Sequence, residues 1–215
     1  MSKSVSLIGA ALLFVTATYA QDYQRYEAYL GYELVRFNPN TGYIPSINAN
    51  GGGGQFVYNF NKSFGAVVDM GAVTKGVLGG YPVDTTVADL VAGPRFTWQH
   101  HESRLKPYVQ ALFGGAYATT STQITVPPGV SQPIYPPGAI VSPNTPISAR
   151  LVASNHDFAM LVGGGLDVKV SKHMYVRPFE ADYYLTRLPS YVNGNHTNRD
   201  NFRYSAGVNF MFGKM

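Results

Sequence analysis

The chain has 215 residues, with 23 Gly, 14 Pro, 16 Tyr, 12 Phe and no Cys; charged residues make up 13%, and the net charge is +4. The Gly and Pro load excludes long helices, and the aromatic content with so little charge excludes a disordered chain. A mean hydropathy of −0.06 excludes a bundle of membrane helices. The absence of Cys removes disulfides, thiolate metal sites and Cys nucleophiles, and the bases are scattered along the sequence, so no nucleic-acid partner is expected. What remains is one all-β domain.

In chain order, residues 1–20 have the features of a secretory signal peptide. Lys3 gives the positive start, Val5 to Val15 an apolar core too short to span a bilayer, and Thr18-Tyr19-Ala20 small residues for cleavage before Gln21. Residues 21–215 then form the folded domain. Side chains that alternate in polarity mark strands, because successive residues point to opposite faces. Tyr26 to Phe37 sets Ala28, Leu30, Tyr32 and Leu34 against Glu27, Gly31 and Glu33. Gly52 to Phe60 sets Phe56, Tyr58 and Phe60 against Gln55 and Asn59, and Phe64 to Val73 sets Phe64, Ala66, Val68 and Met70 against Asp69. Thr86 to Trp98 is the clearest: Ala88, Leu90, Ala92, Phe96 and Trp98 share one face, while Asp89 and Arg95 share the other. Pro107 to Tyr117 sets Val109, Ala111, Phe113 and Tyr117 against Gln110, and Phe158 to Val170 sets Val162, Leu166 and Val168 against Asp167 and Lys169. Met174 to Thr186 breaks the rule, because Arg177 and the Glu180/Asp182 pair fall on opposite parities; a bulge at Pro178 would reconcile them. The closing strand puts Phe202, Tyr204, Ala206, Val208, Phe210 and Phe212 opposite Asn201, Arg203, Ser205, Gly207, Asn209 and Met211.

The eight strands are joined alternately by short and long connections. Asn61 to Ser63, Gln99 to Arg104 and Ser171 to His173 are short; Asn38 to Gly51, Thr74 to Asp84, Ala118 to Asp157 and Arg187 to Asp200 are long. The third long connection, about residues 118–157, holds half the prolines (Pro127 to Pro146) in a stretch without charge from Pro107 to Ala149. It is expected to be a surface loop, since proline lacks a ladder donor. The Gly51-Gly52-Gly53-Gly54 run has no following Lys-Ser/Thr or helix, so it is no phosphate loop; it is expected to ease the chain's entry into the second strand.

Alternation alone fits a soluble barrel as well as a membrane barrel. Three features favour the membrane: apolar stripes long enough to cross the hydrocarbon, aromatics at strand ends (Phe37, Phe60, Phe64, Trp98, Tyr117, Phe202, Phe212), and charges in mid-strand on the opposite face. The expected fold is therefore an all-β, eight-stranded antiparallel up-and-down transmembrane β-barrel, with both termini and the short turns in the periplasm. The end of the chain is the most specific signal. Ser205, Gly207, Phe210 and Phe212 lie at the spacing of the assembly signal of bacterial outer-membrane proteins, although Gly213-Lys214-Met215 follows it. On its architecture, closing strand and leader, the chain over Tyr26 to Phe212 resembles the eight-stranded outer-membrane β-barrel superfamily, the OmpA/OmpX-like group, without the periplasmic peptidoglycan-binding domain. The resemblance implies a monomer in the outer membrane of a Gram-negative bacterium. Its partners would be outer-membrane lipid, lipopolysaccharide and the barrel-assembly machinery.

Parity places Glu27, Glu33, Asp69, Asp89, Asp167, Glu180 and Asp182 inward, with Arg95, Lys169 and Arg203 as the bases. Buried charges must pair, and eight strands enclose just enough room for side chains, so an ion-paired, filled lumen is expected; a narrow cation path is the alternative. No catalytic residues, cofactor or metal ligands are assigned, and the expected role is structural or surface-binding. Two alternatives are an outer-leaflet lipid A-modifying enzyme and a soluble periplasmic barrel that binds an apolar ligand. His101-Glu102-Ser103 matches the His-x-Ser triplet of the lipid A deacylases, but it sits in a short turn at the wrong end for that chemistry. His156, His196 and Ser190 lie in long connections with no spacing that makes a triad, and adjacent His100 and His101 would face opposite ways in an extended chain.

Overall fold

The computed structural model describes residues 24–38, 46–76, 83–98, 103–126, 147–187 and 198–214. The expected leader at residues 1–20, most of the Pro-rich connection, and His100, His101, Glu102, Ser190 and His196 lie outside these residues. Eight strands run in order: β1 (Gln24–Phe37), β2 (Ile47–Asn59), β3 (Phe64–Lys75), β4 (Val83–Thr97), β5 (Leu105–Val126), β6 (Ile147–Lys169), β7 (Met174–Thr186) and β8 (Arg199–Lys214). Each pairs antiparallel with the next, and β1 pairs with β8, so the sheet closes on itself. Closure removes the free edges that an open sheet would expose. The short turns are built locally. In the β2–β3 turn, Asn61 Oδ1 accepts from the backbone N–H of Ser63 and of Phe64, both at 2.8 Å, the Asx geometry that makes Asn a turn residue.

The strands turn their apolar side chains outward. Leu30, Phe56, Val68, Met70, Leu90, Phe113, Val162 and Phe210 are all exposed, Leu90 to 59%. On β3 the uncharged outward stripe from Phe64 to Ala72 spans nine positions, the length a tilted strand needs to cross the hydrocarbon. Rings gather at the short-turn end of this surface. Tyr26 contacts Phe212 and Tyr58 at centroid distances of 5.8 and 5.5 Å, while Phe64, Phe96 and Trp98 pack edge to face at 4.9 and 4.7 Å. Tyr117, Phe158, Phe202 and Tyr204 are exposed toward the other end. Phe37 departs from the expected girdle. It packs inward against the buried apolar cluster, with its ring 6.4 Å from that of Tyr184, because its odd parity on β1 matches Glu33 and Val35.

Two expectations are corrected in the backbone. Half of the connection expected over residues 118–157 is strand. β5 continues to Val126 and β6 starts at Ile147, in unbroken register from Leu105↔Val168 to Val126↔Ile147. β4 accompanies β5 only up to Val83↔Thr122, and β7 joins β6 only from Thr186↔Ala159. The β5–β6 hairpin therefore stands beyond the barrel wall as a two-stranded extension. The tetraglycine run lies within β2, four residues after its start at Ile47, instead of at its entry. At Pro178 the register shifts: Arg177 pairs with Gly207 and Glu180 with Ser205, so Pro178 and Phe179 together oppose Ala206. Both bulged residues face outward, and Arg177 and Glu180 both face the lumen.

Candidate functional site

The lumen is the densest concentration of polar groups in the molecule, and every strand contributes to it. Arg203 of β8 makes a bidentate contact with Asp69 of β3 (Nη1–Oδ1 2.8 Å, Nη2–Oδ2 2.9 Å) and a further bond to Asp182 of β7 at 3.2 Å. Glu33 and Asp89 lie 3.6 and 3.8 Å from the same guanidinium. Arg177 donates to Asp167 (2.8 Å), Glu180 (2.5 Å) and the Gln55 carbonyl oxygen (2.7 Å). Glu180 also accepts from Tyr108 Oη at 2.6 Å and from the amides of Gln55 and Gln110, each at 2.8 Å. Nearer the short turns, Glu27 accepts from Lys106 Nζ (2.5 Å), Asn59 (2.8 Å) and Asn209 (2.9 Å). Charge-assisted bonds of this kind are the strong ones, and such contacts satisfy Glu27 and Glu180, two carboxylates that would be costly to bury alone.

Aromatic rings complete the filling. The Arg95 guanidinium lies 4.1 Å from the Tyr108 centroid, Arg177 lies 4.6 Å from Tyr108, and Arg177 lies 4.1 Å from Tyr29. Two cations and two rings thus stack across the lumen, each guanidinium stabilised by an aromatic face. Room for them comes from glycine. Gly207, Gly31, Gly53 and Gly71 are register partners in succession across β8, β1, β2 and β3. A Cβ at Gly53 would stand 2.0 Å from Glu33 Oε1, and one at Gly71 2.5 Å from Glu33 Oε2. Toward the long-loop end the interior becomes apolar. Val35, Ala49, Val73, Val87, Ala116, Ala118, Ala159 and Leu161 form one buried cluster.

Of the residues expected inside, Glu27, Glu33, Asp69, Asp89, Arg95, Asp167, Glu180, Asp182 and Arg203 are brought together here. Lys169 is not: it is exposed at the short-turn end. It shares the parity of Asp167 but lies two residues further along, past the lumen's floor, and parity does not specify height. Its place as a base is taken by Lys106 and Arg177, both buried. Lys106 lies one residue before the alternating run that opens at Pro107, so the sequence pattern does not include it. Arg177 was visible only as a parity break. Tyr29 and Tyr108 carry inward parity, but a tyrosine in a membrane strand is equally at home in a girdle. Ser205 is buried, Gly207 faces inward and Phe210 and Phe212 point outward on β8. Ser103 Oγ bonds the backbone N–H and C=O of Leu105 at 3.0 and 3.1 Å, a turn-holding role, and His156 is exposed beside Tyr117 on the extension.

No protein-family model matches the chain, and no curated protein matches it in sequence. Solved structures do match. Ail, the attachment invasion locus protein of Yersinia pestis, is similar over 88% of this chain and 99% of its own, with a TM-score of 0.55 and 16% identity. Ail in complex with the heparin analogue sucrose octasulfate matches at 0.54. Neisserial surface protein A (NspA) is similar over 89% of this chain and 99% of its own, with a TM-score of 0.53 and 12% identity. At these identities the likeness is one of fold. With the closed eight-strand sheet, the apolar exterior and the charged interior, it defines the class: a transmembrane β-barrel. Within that class the chain has the eight-stranded outer-membrane fold shared by Ail and NspA.

Proposed function

We propose that this protein is an integral outer-membrane barrel with a closed, side-chain-filled lumen, exported by a cleaved leader, and that it serves as a rigid stem presenting its long-loop end to the cell exterior. The observation that carries this is the inversion of the barrel: the exposed face is apolar, while Arg95, Arg177 and Arg203 are among the most deeply buried large side chains. A soluble barrel that binds an apolar ligand would need the reverse arrangement. The paired lumen charges and the apolar cluster above them support a plug rather than a cation path. The β5–β6 extension and the loops beyond it are then the surface available to partners, since loops on a rigid scaffold carry recognition.

The test is outer-membrane fractionation with a heat-dependent gel shift, followed by planar-bilayer recording. Membrane residence, a shift on boiling and no discrete conductance steps are expected. Regular cation-selective steps would overturn the filled lumen, and recovery in the soluble periplasmic fraction would overturn the membrane assignment. Lipid A mass spectrometry with and without the protein is expected to give identical spectra; a changed acyl pattern would favour an enzyme instead.

A further inference from the structure

The two ends of the barrel differ in charge. At the short-turn end, Lys62 lies in the β2–β3 turn, Arg104 directly before β5, Lys169 at the end of β6 and Lys172 in the β6–β7 turn. Backbone and side-chain contacts join these segments into one rim: Thr97 N–H donates to Ser63 O at 2.7 Å, Trp98 N–H to Pro107 O at 2.9 Å, Lys169 N–H to Arg104 O at 2.8 Å, and Gln24 Nε2 to Lys172 O at 2.8 Å. Arg104, Lys169 and Lys172 are exposed and Lys62 is half-exposed. Among the described residues no exposed Asp or Glu accompanies them, because Glu27 and Asp167 are buried against Lys106 and Arg177. Asp22 and Glu102 neighbour this end in sequence but lie outside the described residues; even with both counted, Arg25 and the four rim bases outnumber them. At the other end the signs are mixed: Arg36, Lys75, Arg150, Arg187 and Arg199 are interspersed with Asp84, Asp157 and Asp200.

The rim also has a defined depth. Lys62 lies between Phe60 and Phe64, Arg104 precedes Leu105, and Lys169 precedes Val170; all four of these apolar neighbours are exposed on the outer surface. Trp98, the single Trp of the chain, is exposed in the same ring. Bases one or two residues beyond an interfacial girdle reach the headgroup layer, where long cationic side chains extend from apolar surface to phosphate.

We propose that this rim binds the phosphate headgroups of anionic phospholipids, of the phosphatidylglycerol type, in the periplasm-facing leaflet. A zwitterionic lipid offsets its phosphate with its own ammonium, so a cluster of bases with no exposed carboxylate beside it among the described residues discriminates between the two classes. The proposal rests on the membrane reading above, and the experiment separates the two failures. The full chain is reconstituted in phosphatidylcholine vesicles containing an equal fraction of either brominated phosphatidylglycerol or brominated phosphatidylcholine, and quenching of Trp98 fluorescence is measured. The anionic lipid is expected to quench as though enriched roughly three- to fivefold, the scale of one base near an anionic surface, and added salt should reduce the preference. The combined Lys62→Gln, Arg104→Gln, Lys169→Gln and Lys172→Gln variant should quench equally with both lipids while keeping its heat-dependent gel shift. If that variant does not fold, the Lys62→Gln/Lys172→Gln and Arg104→Gln/Lys169→Gln pairs should each lower the preference.

Equal quenching by the two lipids in the parent protein, or a preference that survives the substitutions, overturns the proposal. Absence of quenching by either lipid overturns the membrane reading with it. Retention of the solubilised protein on peptidoglycan sacculi, lost in the variant and without any lipid preference, would assign the rim to the acidic peptides of the cell wall and also overturn it.

Discussion

The lumen and the β5–β6 extension are both polar and both made of paired strands, yet different interactions hold them. In the lumen, one guanidinium reaches carboxylates from three or more strands, and no partner can leave without stranding a buried charge. In the extension and the turn of strand just below it, the cross-strand side-chain contacts involve hydroxyls: Thr125 with Ser148 at 3.1 Å, Arg150 donating to Ser121 at 2.9 Å, and Thr119 with Ser154 at 3.4 Å. Such pairs contribute a few tenths to about 1 kcal/mol each. The same backbone ladder can thus be a wall held from inside or a projection held only by its own hairpin, and stability should be concentrated in the first.

The largest effect is expected at Arg177. Arg177→Met leaves Asp167 without its cation and Glu180 with only the more distant Arg203 at 3.6 Å, and should cost about 3–5 kcal/mol, as for other broken buried pairs, measured by urea unfolding in lipid vesicles. A loss below about 1 kcal/mol would mean that water fills the lumen and the contrast with the extension disappears. Leu90→Arg or Val208→Arg should cost roughly 2–4 kcal/mol near the bilayer midplane, read by the same titration; tolerance at both would show that the outer face is solvated. Gly53→Ala should destabilise by about 1–3 kcal/mol through crowding of Glu33, and the loss should shrink in a Glu33→Ala background, the signature of coupled neighbours. The smallest effect should come from excising residues 123–150 and closing Thr122 to Leu151 with an Asn-Gly turn, which suits a two-residue hairpin. Unfolding free energy should stay within about 1 kcal/mol of the parent, with the gel shift retained. Loss of the shift would place the extension or its loop in the barrel mouth.

The strand pattern of the barrel was legible because a membrane imposes it: hydrocarbon outside and packed charge inside force alternation at every position, as at Thr86 to Trp98. The same logic located the irregularity at Pro178, since Arg177 and Glu180 could both be inside only if the register slipped. Above the headgroups that pressure ends. Thr119 to Thr122 are all hydroxyl residues, and Gln123 and Thr125 are exposed, so the strand continues with no apolar stripe to reveal it, and the prolines beyond it mask its end. The lumen's membership was partly legible by sign and parity, but which bases reach it depends on height along the axis, which separates Lys106 from Lys169. The bases of the short turns appear scattered along the chain, and only closure of the sheet gathers them on one rim.

Glu27 and Asn209 meet across 182 residues of chain, and Arg203 reaches Asp69 across 134. Neither contact exists until β8 closes on β1. A lone β1 or β3 hairpin entering the bilayer would carry Glu27 or Asp69 inward with its cation, Lys106 of β5 or Arg203 of β8, still outside. Strand-by-strand insertion is therefore the expensive route, and the order of events is set by charge: the strands should cross together, as a nearly closed unit whose counterions arrive at the same moment. Folding of this barrel should accordingly be slow, concerted and hard to reverse in part, with few half-inserted species for a protease to find.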